Sequence, residues 1–166
     1  MNPHFSIIIP LFNKASYIAK TLQSVFIQTY NNYEVVIIND GSTDNSQEIV
    51  QSFHDKRIKL FTTQNHGVSV ARNFGIKQSS GDFIVFLDAD DFLEKTFLET
   101  INNLILLYPN EHVFATALNI LLPNKTYKAP YKDISLKENE VGLLEGEDDK
   151  GCRLCWCKPR PNFNVW

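Results

Sequence analysis

The stretch Phe83-Ile-Val-Phe-Leu-Asp88-Ala-Asp90-Asp91 is an unbroken apolar run that ends abruptly in three acids. A run of this length without polar alternation is typical of a strand buried on both faces of a sheet. Three more strand-length segments precede it, namely Phe5 to Pro10, Glu34 to Asn39 and Ile58 to Phe61. We therefore predict a sheet of at least four strands, with the acids at the end of the fourth.

Helical patterns lie between these strands. The first places apolar residues on one face, at Ile18, Leu22, Val25 and Phe26. A short second helix is predicted after Asp44, which would be the N-cap of a capping box with Gln47. A third follows Gly67, and a fourth runs from shortly after Asp91 to Pro109. This alternation predicts an α/β fold, a mostly parallel sheet with helices on both faces.

Composition and net charge argue against several classes of protein and partner. With 43% hydrophobic and 21% charged residues, the 166-residue chain has the composition of a globular domain and not of a disordered or fibrous protein. Sixteen basic and 19 acidic residues leave a net charge of −3, which argues against a nucleic-acid partner. The longest apolar runs are too short to span a membrane and no signal segment opens the chain, so we expect a cytoplasmic protein.

Three regions are predicted from the change in composition along the chain. Residues 1–122 form the α/β domain, with a last strand from Val113 to Leu122. Residues 123–150 are acidic without a clear period, and residues 151–166 hold all three cysteines and both tryptophans. The Cys152-x-x-Cys155-x-Cys157 spacing has no second cluster to complete four ligands, which disfavours a zinc site.

The acids after the fourth strand are the strongest chemical signal. Ligands of open parallel sheets bind at the carboxyl ends of the strands, where Asp88, Asp90 and Asp91 are expected. Repulsion among these carboxylates is relieved by a divalent cation, and Mg²⁺ or Mn²⁺ prefers their oxygens. Such a cation stabilises a leaving nucleoside diphosphate. The alternative is that the aspartates only cap a helix beginning near Phe92.

Other polar residues are expected at the same edge. Asn13 follows the first strand, and Asp40 follows the second. The Asp40 carboxylate is suited to accept hydrogen bonds from a base or a ribose, or else belongs to a solvated turn. Arg72 is suited to pair with a phosphate, with the acidic cluster, or in an ordinary structural ion pair. The chain has no glycine-rich dinucleotide motif, P-loop lysine motif or serine nucleophile elbow, which argues against those enzyme classes.

Four segments of the chain, taken together in their order and spacing, are more specific than any one of them alone. They read Ser6-Ile-Ile-Ile-Pro10-Leu-Phe-Asn13-Lys, Val35-Val-Ile-Ile-Asn39-Asp40-Gly-Ser-Thr-Asp44, Gly67-Val-Ser-Val-Ala71-Arg72-Asn73 and Gly81-Asp-Phe-Ile-Val-Phe-Leu-Asp88-Ala-Asp90-Asp91. Over about residues 4–122 the chain thus resembles the nucleotide-binding half of family-2 glycosyltransferases, which have the Rossmann-like GT-A fold. A phosphatase interpretation of the Asp-x-Asp pair fails, because that superfamily places the pair on its first strand and follows it with Thr or Val where this chain has Phe92.

The resemblance implies inverting transfer of a sugar from a nucleoside diphosphate, commonly UDP, to a cell-surface polysaccharide or lipid-linked acceptor. The residues that it implies for nucleotide-sugar binding are Pro10, Phe12, Asn13, Asp40, Arg72 and Asp88. Of these, Asp40 is expected on the base, Arg72 near the phosphates and Asp88 on the ribose and sugar side. Asp90 is expected to bind Mg²⁺ or Mn²⁺. A lipid-linked acceptor would bring the protein to the inner face of the membrane as a peripheral association.

The chain also departs from the family pattern after the fourth helix. The second half of these enzymes supplies the acceptor site and a general base, often one of two adjacent acids. In this chain Asp148 and Asp149 are the candidates for the base, although no predicted strand precedes them. The alternative hypothesis is a truncated, catalytically inactive remnant that binds nucleotide but lacks the base and the acceptor site.

Overall fold

The structure is a computed structural model that describes residues 2–111 and, beyond them, the strands at 113–115, 119–122, 125–128 and 155–157. The strands are β1 (Phe5–Leu11), β2 (Tyr33–Asp40), β3 (Ile58–Thr63), β4 (Phe83–Phe86), β5 (Val113–Ala115), β6 (Asn119–Leu122), β7 (Lys125–Lys128) and β8 (Cys155–Cys157). The helices are α1 (Ile18–Phe26), α2 (Ser46–Gln51), α3 (Val68–Gln78) and α4 (Phe97–Leu107). The chain divides into two units, Met1–Phe114 with Leu154–Trp166, and Ala115–Arg153.

The first unit contains a sheet with the strand order β3-β2-β1-β4-β8-β5. Within the group β1 to β4, every pair of neighbouring strands is parallel. The strand β8 pairs with β4 in the antiparallel direction. This parallel four-strand arrangement with flanking helices confirms the predicted α/β class. The predicted tail at 151–166 contributes β8 to this sheet, so part of it shares the backbone pairing of the first unit.

The second unit contains an antiparallel pair of β6 and β7. The single strand predicted from Val113 to Leu122 is therefore two strands, β5 and β6, in different sheets. A continuous apolar pattern indicates extended backbone but does not indicate which partner each part will pair with.

Two apolar cores cover the two faces of the parallel sheet. Because successive residues of a strand point to opposite faces, Ile7 and Ile9 of β1 join the core formed with α1, α2 and α4, whereas Ile8 joins the core formed with α3. Helix α3 approaches β1 closely at Gly75, where an added Cβ would lie 2.5 Å from Ile8 Cγ2. Both faces of β1, β2 and β4 are thus buried, as the apolar runs indicated, whereas β3 at the edge of the sheet is only partly buried.

Two predicted helix starts are wrong. Helix α4 begins at Phe97 with Thr96 at its N-cap, so the aspartates do not cap a helix beginning near Phe92. Helix α2 has Asn45 at its N-cap, without a side-chain cap bond. The Oε1 atom of Gln47 accepts a hydrogen bond from Asn39 Nδ2 at 2.7 Å instead of completing the capping box. The hydrogen bond from Asn39 on β2 thus takes the place of the local capping-box bond that was predicted for Gln47.

The carboxyl ends of the strands bring the candidate residues to one edge of the sheet. Leu11 lies opposite Asn39 in the β1–β2 pair, and Ile8 lies opposite Phe86 in the β1–β4 pair. The loops that follow β1, β2 and β4 therefore leave the sheet at the same edge. In the described part of the chain, none of the helices has the length and hydropathy that a membrane span needs.

Candidate functional site

Asn13 holds together the loops that follow β1 and β2. Its φ of +51° lies in the left-handed region, which Asn adopts more readily than most residues. Its Oδ1 accepts a hydrogen bond from the backbone N–H of Thr43 at 2.8 Å, and its own N–H donates to Ser42 Oγ at 3.1 Å. The Asn13 side chain therefore shapes the rim of the site, beside Phe12, whose side chain is 43% exposed. Pro10 lies within β1 and is half-buried.

Asp44 and Ser46 reinforce the same junction. Asp44 Oδ2 accepts a hydrogen bond from the backbone N–H of Ala15 at 3.0 Å, and Ser46 Oγ accepts one from that of Lys14 at 2.9 Å. The hydrogen bond from the Ser46 hydroxyl to Asp44, with those from backbone N–H groups, holds the pKa of Asp44 below its ordinary value. The sequence indicated a helix cap at Asp44, and the structure uses its carboxylate to clamp two loops.

Asp40 is buried at the end of β2, where its carboxylate accepts three hydrogen bonds. The donors are the backbone N–H of His66 at 3.0 Å, the backbone N–H of Gly67 at 2.8 Å and the Thr63 hydroxyl at 3.2 Å. Gly67 has a φ of +89°, which turns the chain into α3. Asp40 thus orders the start of α3. Two of these bonds go to Oδ1 and one to Oδ2, so the remaining acceptor direction of the carboxylate is on Oδ2.

Asp88 and Arg72 form an ion pair between the loop after β4 and helix α3. Arg72 Nη2 donates to Asp88 Oδ1 at 2.5 Å, and the guanidinium lies 5.9 Å from the centre of the Phe86 ring. The Arg72 Nε atom is buried without a hydrogen-bond partner among the described residues. The sequence left three kinds of partner open for Arg72, and in the structure its partner is a carboxylate of the acidic cluster, that of Asp88.

Asp90 forms a second ion pair, with a residue that the sequence analysis missed. Lys14 Nζ lies 2.6 Å from Asp90 Oδ2, and both side chains are more than a third exposed. The hydrogen bond to Asp90 holds the pKa of Lys14 above its ordinary value, and the charge of Asp88 acts in the same direction. The only signal in the sequence was that Lys14 directly follows Asn13, beyond a strand that neighbours β4 in the sheet.

The donor atoms at this edge suit Mg²⁺ or Mn²⁺. Both cations prefer carboxylate oxygen, and Mg²⁺ is usually held by one or two carboxylates with phosphate and water completing the shell. Asp90 presents a partly exposed carboxylate, and Asp88 is two residues away. The described residues contain no group of three or more His, Cys, Asp or Glu that could hold a metal without such help. The arrangement therefore fits a cation shared with a diphosphate.

The remaining candidates divide between the loop after β4 and the end of the chain. The backbone N–H of Asp91 donates to the carbonyl of Asp88 at 3.0 Å, which closes a turn around the acidic cluster. The candidate bases Asp148 and Asp149 lie outside the described residues.

The fold and the site geometry define an α/β domain with acidic and basic groups at the carboxyl edge of a parallel sheet, as in GT-A proteins. The family model described as glycosyl transferase family 2 matches residues 6–157. The chain belongs to this family.

Two curated relatives illustrate the similarity. Glycosyltransferase GlyA of Streptococcus pneumoniae is 36% identical over 161 residues, which cover 90% of this chain and 23% of that protein. An uncharacterized glycosyltransferase of Haemophilus influenzae is 44% identical over 107 residues, which cover 63% of this chain and 43% of that protein. The chain therefore spans less than half the length of each of these relatives.

Solved structures show the same fold. TarS 1-349 of S. aureus in complex with UDP-GlcNAc superimposes with a TM-score of 0.65 at 32% identity, covering 68% of this chain and 33% of that one. A mannosyltransferase of Pyrobaculum calidifontis in complex with GDP-Man and Mn²⁺ superimposes with a TM-score of 0.61 at 24% identity, covering 69% of this chain and 35% of that one. At that identity the second likeness is evidence for the fold alone.

Proposed function

We propose that this chain is the donor-binding part of a metal-assisted, inverting glycosyltransferase that takes its sugar from a nucleoside diphosphate. The observation that carries the proposal is the meeting of Asp88 and Asp90 with Arg72 and Lys14 at the carboxyl edge of the sheet. This edge of the sheet therefore offers carboxylates that can bind a metal ion and, beside them, positively charged side chains that can bind a diphosphate. The acceptor that we propose is a cell-surface polysaccharide or a lipid-linked glycan.

We propose UDP as the nucleotide, since TarS was solved with UDP-GlcNAc and with UDP. In this proposal the exposed Phe12 ring packs against the base, while Asp40 accepts a hydrogen bond from a base N–H. Arg72 lies beside the phosphates and keeps Asp88 oriented towards the ribose and sugar. Mg²⁺ or Mn²⁺ held by Asp90 would neutralise negative charge that develops on the leaving diphosphate.

The transfer itself is a single displacement, which inverts the anomeric carbon. The acceptor oxygen forms a bond to that carbon while the bond to the diphosphate oxygen breaks, and the electron pair leaves with the nucleoside diphosphate. A carboxylate takes the proton of the acceptor hydroxyl. Asp148 and Asp149 remain the proposed candidates for this base.

Calorimetric titration of the full chain with UDP, with and without Mn²⁺, tests the donor site. We expect binding that depends on Mn²⁺, and a loss of at least about tenfold in affinity for Asp90→Asn, because the variant lacks the anionic ligand. Glu111→Gln is the matched control, since it removes one exposed acid beyond the end of α4. Equal UDP affinity in the wild type and in Asp90→Asn would contradict the proposed site.

Release of UDP from a panel of UDP-sugars, with and without acceptor glycans, tests the transfer. We expect Asp148→Asn or Asp149→Asn to lower the rate of turnover while UDP affinity stays unchanged. If the wild type binds UDP in a metal-dependent way but shows no turnover, the proposed transferase activity of this chain is contradicted. Nucleotide binding would then be the function that remains.

A further inference from the structure

Each of the two carboxylates at the proposed metal site already has a cation beside it. The Arg72–Asp88 pair is the more enclosed, with side chains that are 22% and 31% exposed. The Lys14–Asp90 pair is the more open, with side chains that are 37% and 41% exposed. The carboxylate expected to bind metal is therefore the one held by the more exposed and more flexible cation.

Lys14 is built so that its ammonium can move without disturbing the loop. Its backbone N–H donates to Ser46 Oγ, and its carbonyl accepts hydrogen bonds from the N–H groups of Tyr17 and Ile18 at the start of α1. These bonds hold the backbone, whereas the ammonium stands at the end of a stem with four rotatable carbons. The ammonium donates a hydrogen bond to Asp90 Oδ2 and lies 5.9 Å from the centre of the Tyr17 ring.

A divalent cation and the Lys14 ammonium cannot both occupy Asp90 favourably. They compete for the same carboxylate, and two positive charges placed side by side at that carboxylate repel each other. A diphosphate that arrives with the metal offers the displaced ammonium a new anionic partner close by.

We propose that Lys14 is an exchangeable counter-ion: it neutralises Asp90 in the empty site, yields that carboxylate to the divalent cation, and then pairs with the diphosphate. The inference rests on the proposed function, because it requires the metal and the donor to bind at this edge. Its consequence is that metal and nucleotide load together, since the empty site holds a competitor for the metal.

The test uses the full chain and measures binding, not turnover. Electron paramagnetic resonance of free Mn²⁺ gives the affinity of the empty protein, and calorimetry gives the UDP affinity at saturating Mn²⁺. For Lys14→Met we expect Mn²⁺ affinity without nucleotide to rise about two- to fivefold, the range expected on removing an exposed ion pair. We expect its UDP affinity with Mn²⁺ to fall about three- to tenfold, because a charge-assisted bond to phosphate is lost.

Lys20→Met is the matched control. Lys20 is an exposed lysine near the same edge whose ammonium lies 5.0 Å from the Phe92 ring centre, so its loss removes the same charge without touching Asp90. We expect neither affinity to change in this variant. Lys14→Arg keeps the charge, and we expect it to retain more UDP affinity than Lys14→Met.

Opposite shifts of the two affinities in Lys14→Met alone support the exchange. Shifts of the same sign, a change in only one affinity, or equal effects of Lys14→Met and Lys20→Met overturn it. If wild-type UDP binding is indifferent to Mn²⁺ and to Asp90→Asn, the proposed function fails and the exchange fails with it. If the wild type behaves as proposed while Lys14→Met binds like the wild type, only the exchange fails.

Discussion

Arg72 Nη2 on α3 and Asp88 Oδ1 after β4 lie 2.5 Å apart, although the two residues are sixteen positions apart in the sequence and the whole of β4 lies between them. The pair is only partly enclosed, and ion pairs of this kind contribute little to stability, about 0–1 kcal/mol. Its main effect is to orient both side chains at the edge of the sheet where the donor is proposed to bind.

Arg72→Lys separates this orienting role from a role in stability. The variant keeps the charge and most of the stem but loses the planar fork, so we expect UDP affinity with Mn²⁺ to fall about three- to tenfold. We expect the free energy of unfolding to fall by less than about 1 kcal/mol. Calorimetry and urea unfolding measure the two effects, and Lys77→Ala, on the same helix and exposed, is the control. An unchanged UDP affinity would remove Arg72 from the proposed site.

Asp40→Asn tests whether the end of β2 orders the start of α3. The amide has one acceptor oxygen, so its NH₂ group would face one of the N–H groups of His66 and Gly67. We expect a loss of about 1–3 kcal/mol in the free energy of unfolding. Thr63→Val removes only the hydroxyl donor and should cost less. Equal losses in the two variants would show that the two backbone bonds contribute nothing of their own.

Glu34 makes the stability of the first unit depend on pH. Burial raises the pKa of Glu34, but the ion pair with Lys59 and hydrogen bonds from Ser6 and Ser80 outweigh burial and bring the pKa to about 2. The unfolded state takes up this proton near pH 4.5, so the stabilisation is fully present above that pH and is lost as the pH falls towards 2.

Urea unfolding of the wild type and Glu34→Gln between pH 7 and pH 2 checks this dependence. We expect the variant to be less stable at pH 7 by about 1–3 kcal/mol, because it leaves buried donors without a charged acceptor. The difference should shrink as the pH falls below about 4.5. A difference that stays constant over the whole range would mean that the Glu34 charge is not what stabilises the fold.

Gly75→Ala tests the close packing of α3 on β1. An added Cβ would lie 2.5 Å from Ile8 Cγ2, so the core must shift to admit it. Overpacking typically costs about 1–3 kcal/mol, of which better helix propensity returns up to about 1 kcal/mol. We therefore expect a net loss of about 1 kcal/mol or more, measured by thermal or urea unfolding. A stabilised Gly75→Ala, with Lys77→Ala unchanged, would show that the helix has room to move.

Much of the fold could be predicted because its signals are local. Apolar runs indicate strands, and the four segments that end near Pro10, Asn39, Phe61 and Leu87 correspond to β1 to β4. The segment that contains Lys59 became the partly exposed edge strand β3, and the other three are buried on both faces. Helix boundaries were less predictable. The capping box at Asp44 competed with a tertiary partner of Gln47 on β2, and no local pattern records such a partner.

The sequence by itself determined the α/β class, the family and the presence of acids at the end of β4. These follow from short-range hydrophobic patterns and from four motifs in a fixed order. Only the tertiary structure decided which cations stand beside those acids. Lys14 and Asp90 are 76 residues apart, and they meet because β1 and β4 are parallel neighbours whose ends share one edge of the sheet. Contacts between distant residues depend on strand order, which the free energy of packing both faces of the whole sheet selects.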